Sequence, residues 1–262
     1  MRKQRADLLL VERGMVASRA LAQRLVMAGQ VRADGQVIPK PASLIPDDAT
    51  LTIETGPKYV SRGGEKLEAA LFSFSMDING KVCADVGAST GGFTDCLLQH
   101  GANHVYAIDV GKGILHWKLR QDPRVRVMEE TNARFVEQLP EPVQLITVDA
   151  SFISLKTLLP TVRKWFPLRD GEMIALIKPQ FEAGRSQVAR GDGVIRDPEI
   201  HHQVLLDVLG FVQQEEFGVR GLIRSPLLGP KGNVEFLAYL IYPSAGMADL
   251  SKIVLNAVDV PG

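Results

Sequence analysis

Two rhythms of apolar positions divide this chain. Up to about residue 56 the apolar runs are short. Leu8, Leu9 and Val11 fall at helical spacing within 6–13 and stop at Gly14, a residue suited to a left-handed C-terminal cap. Ser18 is placed to cap a second helix over 19–28, which stops at Gly29. Val31-Arg-Ala-Asp34-Gly35-Gln-Val37-Ile38 alternates around Asp-Gly, the mark of a tight hairpin. Pro39, Pro41 and Pro46 then interrupt the chain before a strand beginning at Leu51. The expectation is a small α+β unit over residues 1–56 and a linker over 57–60.

From residue 61 the rhythm is slower and more apolar. It predicts strands at 82–86, 105–109, 125–128, 143–148 and 173–178, with helices at 92–100, 133–139, 155–166 and 200–212. Two last strands, near 217–223 and 234–241, have no helix between them. Strands joined by helices imply a parallel sheet covered on both faces, and the final pair implies an antiparallel edge. The reading is an α/β domain over 61–243. In the tail, 244–262, Met247, Leu250, Ile253, Val254 and Val258 form a weak amphipathic pattern that would dock on the domain.

Charge sharpens this division. The whole chain is neutral, with 30 basic and 30 acidic residues, but within residues 1–40 eight basic side chains face three acidic ones. Such a surplus suits a polyanion; the alternative is a solvated helix face. The longest apolar run, Phe236 to Tyr242, is far below the roughly 20 residues of a membrane helix, and the charged N-terminus has no signal-peptide core. The two cysteines, Cys83 and Cys96, fall in a predicted strand and helix, and no Cys/His cluster has zinc spacing. A cytoplasmic protein without a metal is expected.

Candidate chemistry begins at Asp85-Val-Gly87-Ala88-Ser89-Thr-Gly91-Gly92-Phe93. A buried strand, a glycine turn and a helix start in that order build a nucleotide-type crevice, because glycine lets the backbone approach a ligand. The spacing is not that of pyrophosphate binders and is closer to the first motif of S-adenosylmethionine (SAM) methyltransferases. Asp109 ends the next strand, where a carboxylate can accept both hydroxyls of a ribose. Lys66, Asp149, Lys178 and Glu235 lie at or beside other strand ends. Each alone could be merely solvated.

Together these residues carry a resemblance. The order Lys66, Asp149, Lys178, Glu235 matches the Lys-Asp-Lys-Glu tetrad of FtsJ-like ribose 2′-O-methyltransferases. The N-terminal segment, with Arg5-Ala-Asp7-Leu8-Leu9, Ser18-Arg19, Ala28-Gly29-Gln-Val31 and Asp34-Gly35, resembles the S4 RNA-binding domain. The combination is similar to the TlyA (hemolysin A) family. Ser61-Arg62-Gly63-Gly64-Glu65-Lys66-Leu67, Lys178-Pro-Gln-Phe-Glu182, Gly193-Val-Ile-Arg-Asp-Pro198 and Gly232-Asn233-Val-Glu235 match its motifs, and the likeness spans about residues 5–242.

The resemblance implies a Rossmann-like SAM methyltransferase sheet preceded by an S4-like unit, acting on ribosomal RNA or a ribosomal subunit, with cytidine as target nucleoside. It makes Lys66, Asp149, Lys178 and Glu235 catalytic, and gives Lys178 the nucleophile's proton. Whether that lysine is base or steering group stays open, since burial and Lys66 would lower its pKa while the two carboxylates raise it. Cofactor contacts are expected from Asp85, Gly87, Ala88, Ser89, Gly91, Gly92, Phe93, Asp109 and Asp149. Asn132 or Ala133 would meet the adenine, with helix capping as the alternative for Asn132.

RNA contacts are expected from Arg5, Arg19, Arg24 and Arg62, and from Arg185, Arg190 and Arg196 in a long segment after Glu182. His201, His202, Trp117 and Trp165 are expected to cap or pack. Two rival classes are a membrane-active cytolysin, suggested only by the family's second name, and a non-catalytic RNA-binding assembly factor.

Overall fold

The computed structural model describes residues 2–54, 56–167, 171–184, 193–244, 246 and 248–259. Arg185 and Arg190 lie outside the described residues. The chain divides into two compact units, Met1–Lys58 and Tyr59–Gly262.

In the first unit α1 (Ala6–Glu12) and α2 (Arg19–Met27) pack on each other. Ser18 Oγ accepts the Leu21 N–H at the start of α2. The hairpin β2 (Val31–Ala33) and β3 (Gln36–Val37) turns at Asp34 and Gly35, both at positive φ, as a primed hairpin turn requires. β5 (Leu51–Ile53) pairs antiparallel with β2. An additional two-stranded ribbon, β1 (Lys3–Arg5) with β4 (Leu44–Pro46), is present. Leu9, Leu10, Ala22, Val26, Val31, Ile38 and Leu51 form the core.

Asp7 is sealed inside this small core because it is fully paired. Arg5 donates two hydrogen bonds to its carboxylate, and Arg19 and Gln23 donate one each, all between 2.9 and 3.0 Å. These donors hold the Asp7 carboxyl well below the usual carboxylate range.

The second unit is built on one seven-stranded sheet. Its strands are β6 (Val82–Val86), β7 (His104–Ile108), β8 (Val125–Met128), β9 (Leu145–Val148), β10 (Gly171–Ile177), β11 (Gly218–Arg224) and β12 (Phe236–Tyr242). They lie in the order β11-β12-β10-β9-β6-β7-β8. β10 through β8 are parallel neighbours, whereas β12 runs antiparallel to both β10 and β11. This is the SAM-methyltransferase sheet with its antiparallel edge.

Helices α3 (Gly63–Ser73), α4 (Gly92–Gln99), α5 (Trp117–Arg120), α6 (Leu155–Val162), α7 (Pro179–Glu182) and α8 (Pro198–Gln214) connect or cover the strands, and two separate apolar cores form around the sheet. In the tail, α9 (Leu250–Val258) buries Val254 and Ala257 against α8 and β11, as its pattern predicts.

Three expectations change. Tyr59 and Val60 belong to the second unit rather than to a linker: the Tyr59 ring is buried where a Cβ on Gly64 would otherwise sit, and the Val60 N–H donates to Asp95 Oδ2. The helix expected over 133–139 is only a 3₁₀ turn, Ala133–Phe135; beyond it Val136 is extended and its carbonyl accepts the Trp165 indole N–H. Trp117 is exposed rather than packed, whereas Trp165 is buried. Among the described residues no helix is long and apolar enough to cross a membrane.

Candidate active site

In open α/β sheets ligands bind beyond the carboxyl ends of the strands, where the strand order reverses. Here that point lies between β6 and β9. After β6 the chain turns through Gly87 at φ +84°, and a Cβ there would stand 2.7 Å from the Asp149 carbonyl oxygen. The loops after β6 and β9 can touch only because residue 87 has no side chain. The turn is pinned from the far side, where the Asp109 carboxylate accepts the N–H groups of Ser89 (2.8 Å) and Gly111 (2.7 Å).

Beneath the turn Asp85 has no exposed surface. Its two oxygens accept the hydroxyls of Thr94 (2.7 Å) and Thr147 (2.9 Å), and burial pushes its carboxyl up to about 6. The expected cofactor contact is therefore corrected: Asp85 supports the turn from behind and is not in the cavity wall.

Above the turn opens a cavity of about 720 Å³, within the range of roughly 300–1,000 Å³ usual for ligand sites. Its walls come from 61–66, 87–93, 149–152, 178–181, 193 and 227–235. Gly87, Ala88, Ser89, Gly92, Phe93 and Asp149 line it, and so does Arg62. Gly91, Asp109, Asn132 and Ala133 are not among the lining residues; Asn132 Oδ1 accepts the Arg134 N–H and caps the 3₁₀ turn.

Two ion pairs face this space. Lys178 Nζ lies 2.6 Å from Asp149 Oδ1 and also donates to Ser151 Oγ at 2.9 Å and the Asp149 carbonyl at 3.4 Å. Three acceptors thus surround one nitrogen and fix its position. Lys66 Nζ lies 2.6 Å from Glu235 Oε2. Glu235 is buried, and it fits only because residue 229 is glycine: a Cβ there would overlap its carboxylate. All four expected tetrad residues thus line one cavity.

Supporting contacts fix the loops that carry them. Glu182, on α7, accepts the Ser154 hydroxyl (2.5 Å) and the Leu155 N–H (2.7 Å), tying the segment after β10 to the start of α6; burial raises its pKa. Asn233 donates to the carbonyls of Gly193 and Pro230 and accepts the Ile195 N–H, each at 3.1 Å. His201 Nε2 reaches the Ile195 carbonyl at 3.0 Å, and burial lowers its pKa, so it packs as expected.

Several lining residues escape a sequence reading. Ser61 and Ser151 carry no distinguishing spacing, and Gln180 hides inside Lys178-Pro-Gln-Phe-Glu182. Phe152 is 89% exposed at φ +63°, beside the Phe181 ring at 4.9 Å. Asn233 does sit in a quoted motif, but nothing in its type announces a staple. In the first unit Arg24 is exposed, while Arg5 and Arg19 are engaged by Asp7. Arg196 is exposed beside the cavity segment at Gly193. Among the described residues no group of three or more His, Cys, Asp or Glu side chains could hold a metal ion.

Residues 59–242 match the FtsJ-like methyltransferase family, and residues 4–49 match the S4 domain. The chain belongs to the FtsJ-like methyltransferases. Within them it is 46% identical over 243 residues to the 16S/23S rRNA (cytidine-2′-O)-methyltransferase TlyA of Mycobacterium tuberculosis, covering 91% of this chain and 90% of that one. Hemolysin A of Brachyspira hyodysenteriae is 41% identical, covering 90% and 99%. A solved structure from Streptococcus thermophilus superposes with a TM-score of 0.73 at 42% identity, covering 98% of this chain and 96% of that one. The tetrad geometry above is thus set in an FtsJ-like domain over most of its length.

Proposed function

We propose that this chain transfers a methyl group from SAM to the ribose 2′-hydroxyl of a cytidine in ribosomal RNA, working on a ribosomal subunit in the cytoplasm. The observation that carries the reading is the convergence of the Lys178–Asp149 and Lys66–Glu235 pairs on one cavity at the switch point of the sheet. The cradle left open at Gly87 suits a cofactor, with Ala88, Ser89, Gly92 and Phe93 along it, and Asp109 holds that turn through the Ser89 and Gly111 N–H groups. When bound, SAM supplies an electrophilic methyl group.

This chain's residues then do the rest. Asp149 and Ser151 hold Lys178 Nζ in one place, where it meets the 2′-hydroxyl. A neutral amine would take the hydroxyl proton; an ammonium would orient the oxygen toward the methyl. Lys66, fixed by Glu235, is available to the same hydroxyl or to a neighbouring phosphate. Holding oxygen and methyl in line supplies much of the rate. No metal has a part in this scheme. The S4 unit docks structured RNA through Arg24 and the outer faces of Arg5 and Arg19, by shape and phosphate contacts rather than base readout. In the catalytic unit Arg62, which lines the cavity, and the exposed Arg196 meet RNA phosphates.

The test is methylation of ribosomal subunits from cells lacking the protein, with labelled SAM and mapping of ribose-methylated positions. Lys178→Ala should lose about 10²–10⁴-fold in single-turnover rate while SAM affinity stays within a few-fold. Near-parental turnover would remove Lys178 from the chemistry. A rate rising with pH through one ionisation marks Lys178 as base, and a flat profile marks it as steering group.

A further inference from the structure

Gln180 and Glu235 both line the cavity, and each has a buried acceptor oxygen, Oε1, with no hydrogen-bond donor among the described residues. An unpaired buried acceptor costs roughly 1–3 kcal/mol, so a fold keeps one where a ligand supplies the donor. Glu235 already has a part in that scheme through its other oxygen, Oε2, which holds Lys66. Gln180 has no part in that scheme. It is only 8% exposed and stands two residues beyond Lys178 in the short helix α7, so it shares the local frame of the ammonium that meets the ribose.

We propose that Gln180 reads the target base, its amide oxygen accepting a hydrogen bond from the exocyclic amine of cytosine. The proposal rests on the cytidine reading above. A nucleoside whose 2′-hydroxyl is at Lys178 has its base within a few ångströms of that point, and the wall there offers an acceptor in need of an N–H. Cytosine presents an amine at position 4, whereas uracil presents a carbonyl oxygen. Uracil would set two acceptors face to face and could be paired only if the glutamine amide turned over, leaving its oxygen elsewhere. A site that hydrogen-bonds a substrate group rejects analogues lacking it more strongly than an apolar pocket can.

The experiment compares two substrates with each enzyme. Ribosomal subunits from cells lacking the protein are used as they are, and again with the modified cytidine replaced by uridine. The readout is the ratio of kcat/KM for the two. Because it is taken within one variant, a general effect on the chemistry cancels. Gln180→Met keeps the length and removes both polar atoms; its cytidine preference should fall by roughly ten- to hundredfold, the worth of one good base-edge contact. Gln180→Glu keeps the acceptor and, while ionised, has no donor to present, so at alkaline pH it should retain the preference. SAM affinity by calorimetry verifies that each variant is folded, and if Gln180→Met binds no SAM, Gln180→Leu takes its place.

An unchanged ratio in the apolar variant overturns the proposal, and so does loss of the preference in Gln180→Glu. Failure of the parent enzyme to methylate the cytidine substrate at all is a different result: it removes the functional reading itself.

Discussion

Replacing Asp85 with asparagine should stabilise the catalytic unit at neutral pH and leave it nearly unchanged near pH 4. The parent carboxyl is sealed under the glycine turn, and burial, opposed only in part by Thr94 and Thr147, raises it from 3.8 to about 6. The folded protein therefore holds this proton more tightly than the unfolded chain does. Its contribution is full below pH 3.8 and is lost as the pH rises to 6. The difference, 6 − 3.8, at 1.36 kcal/mol per unit comes to about 3 kcal/mol.

Asparagine imitates the protonated acid: one oxygen still accepts a threonine hydroxyl, and the other hydroxyl can turn to accept the amide N–H. Urea unfolding followed by tryptophan fluorescence gives the comparison directly. Both tryptophans, Trp117 and Trp165, lie in the second unit, so the S4 unit is silent. The stabilisation by Asp85→Asn should grow between pH 4 and 6 and level off above. A difference independent of pH from 4 to 8 would refute the argument that Asp85 is charged and poorly solvated at neutral pH.

Lys66→Ala should leave the Glu235 carboxylate buried without its cation and cost about 3–5 kcal/mol of stability, most of which the double variant with Glu235→Gln should recover in thermal melts. Asp7→Asn should loosen the S4 unit and abolish RNA binding while SAM affinity, read by calorimetry, stays put; because the Asp7 carboxyl is held below its ordinary value, the parent S4 unit should itself weaken as the pH falls through the acid range. Asp109→Ala should weaken SAM binding by roughly 1–3 kcal/mol, since the carboxylate pins Ser89 and Gly111 in the turn after β6; unchanged affinity would show that the turn holds without it.

The parallel strands were legible because each is a near-continuous apolar run ended by a charged or glycine residue, and the antiparallel edge because two such runs follow without a helix between them. Helix α3, which carries Lys66, was not. Its first residues, Gly63-Gly64, read as a loop, and its apolar face amounts to Leu67, Ala70 and Leu71. The β1–β4 ribbon escaped because three-residue strands ending in Pro46 carry no alternation to see. Among site residues, charge just past a strand end was a usable signal for Asp149 and Lys178, whereas Lys66, on α3, and Glu235, just before β12, stood out only through the resemblance. What sequence could not tell was which side of a turn a residue faces. Asp85 and Asp109 both end apolar strands, yet only Asp85 is walled in, because threonines at 94 and 147 close over it.

The Lys66–Glu235 pair joins side chains 169 positions apart, and it has a consequence for when the enzyme can first work. β12 enters the sheet between β10 and β11, although it is the last strand to be made. A nascent chain emerging from the ribosome can complete its S4 unit early, since that unit closes within its first 58 residues. The turn after β6 can follow. The partner of Lys66 arrives only with the strand that ends the sheet, so a growing chain can hold an RNA-docking unit long before it has a finished catalytic wall. Until β12 is in place, Lys66 has no carboxylate to hold it.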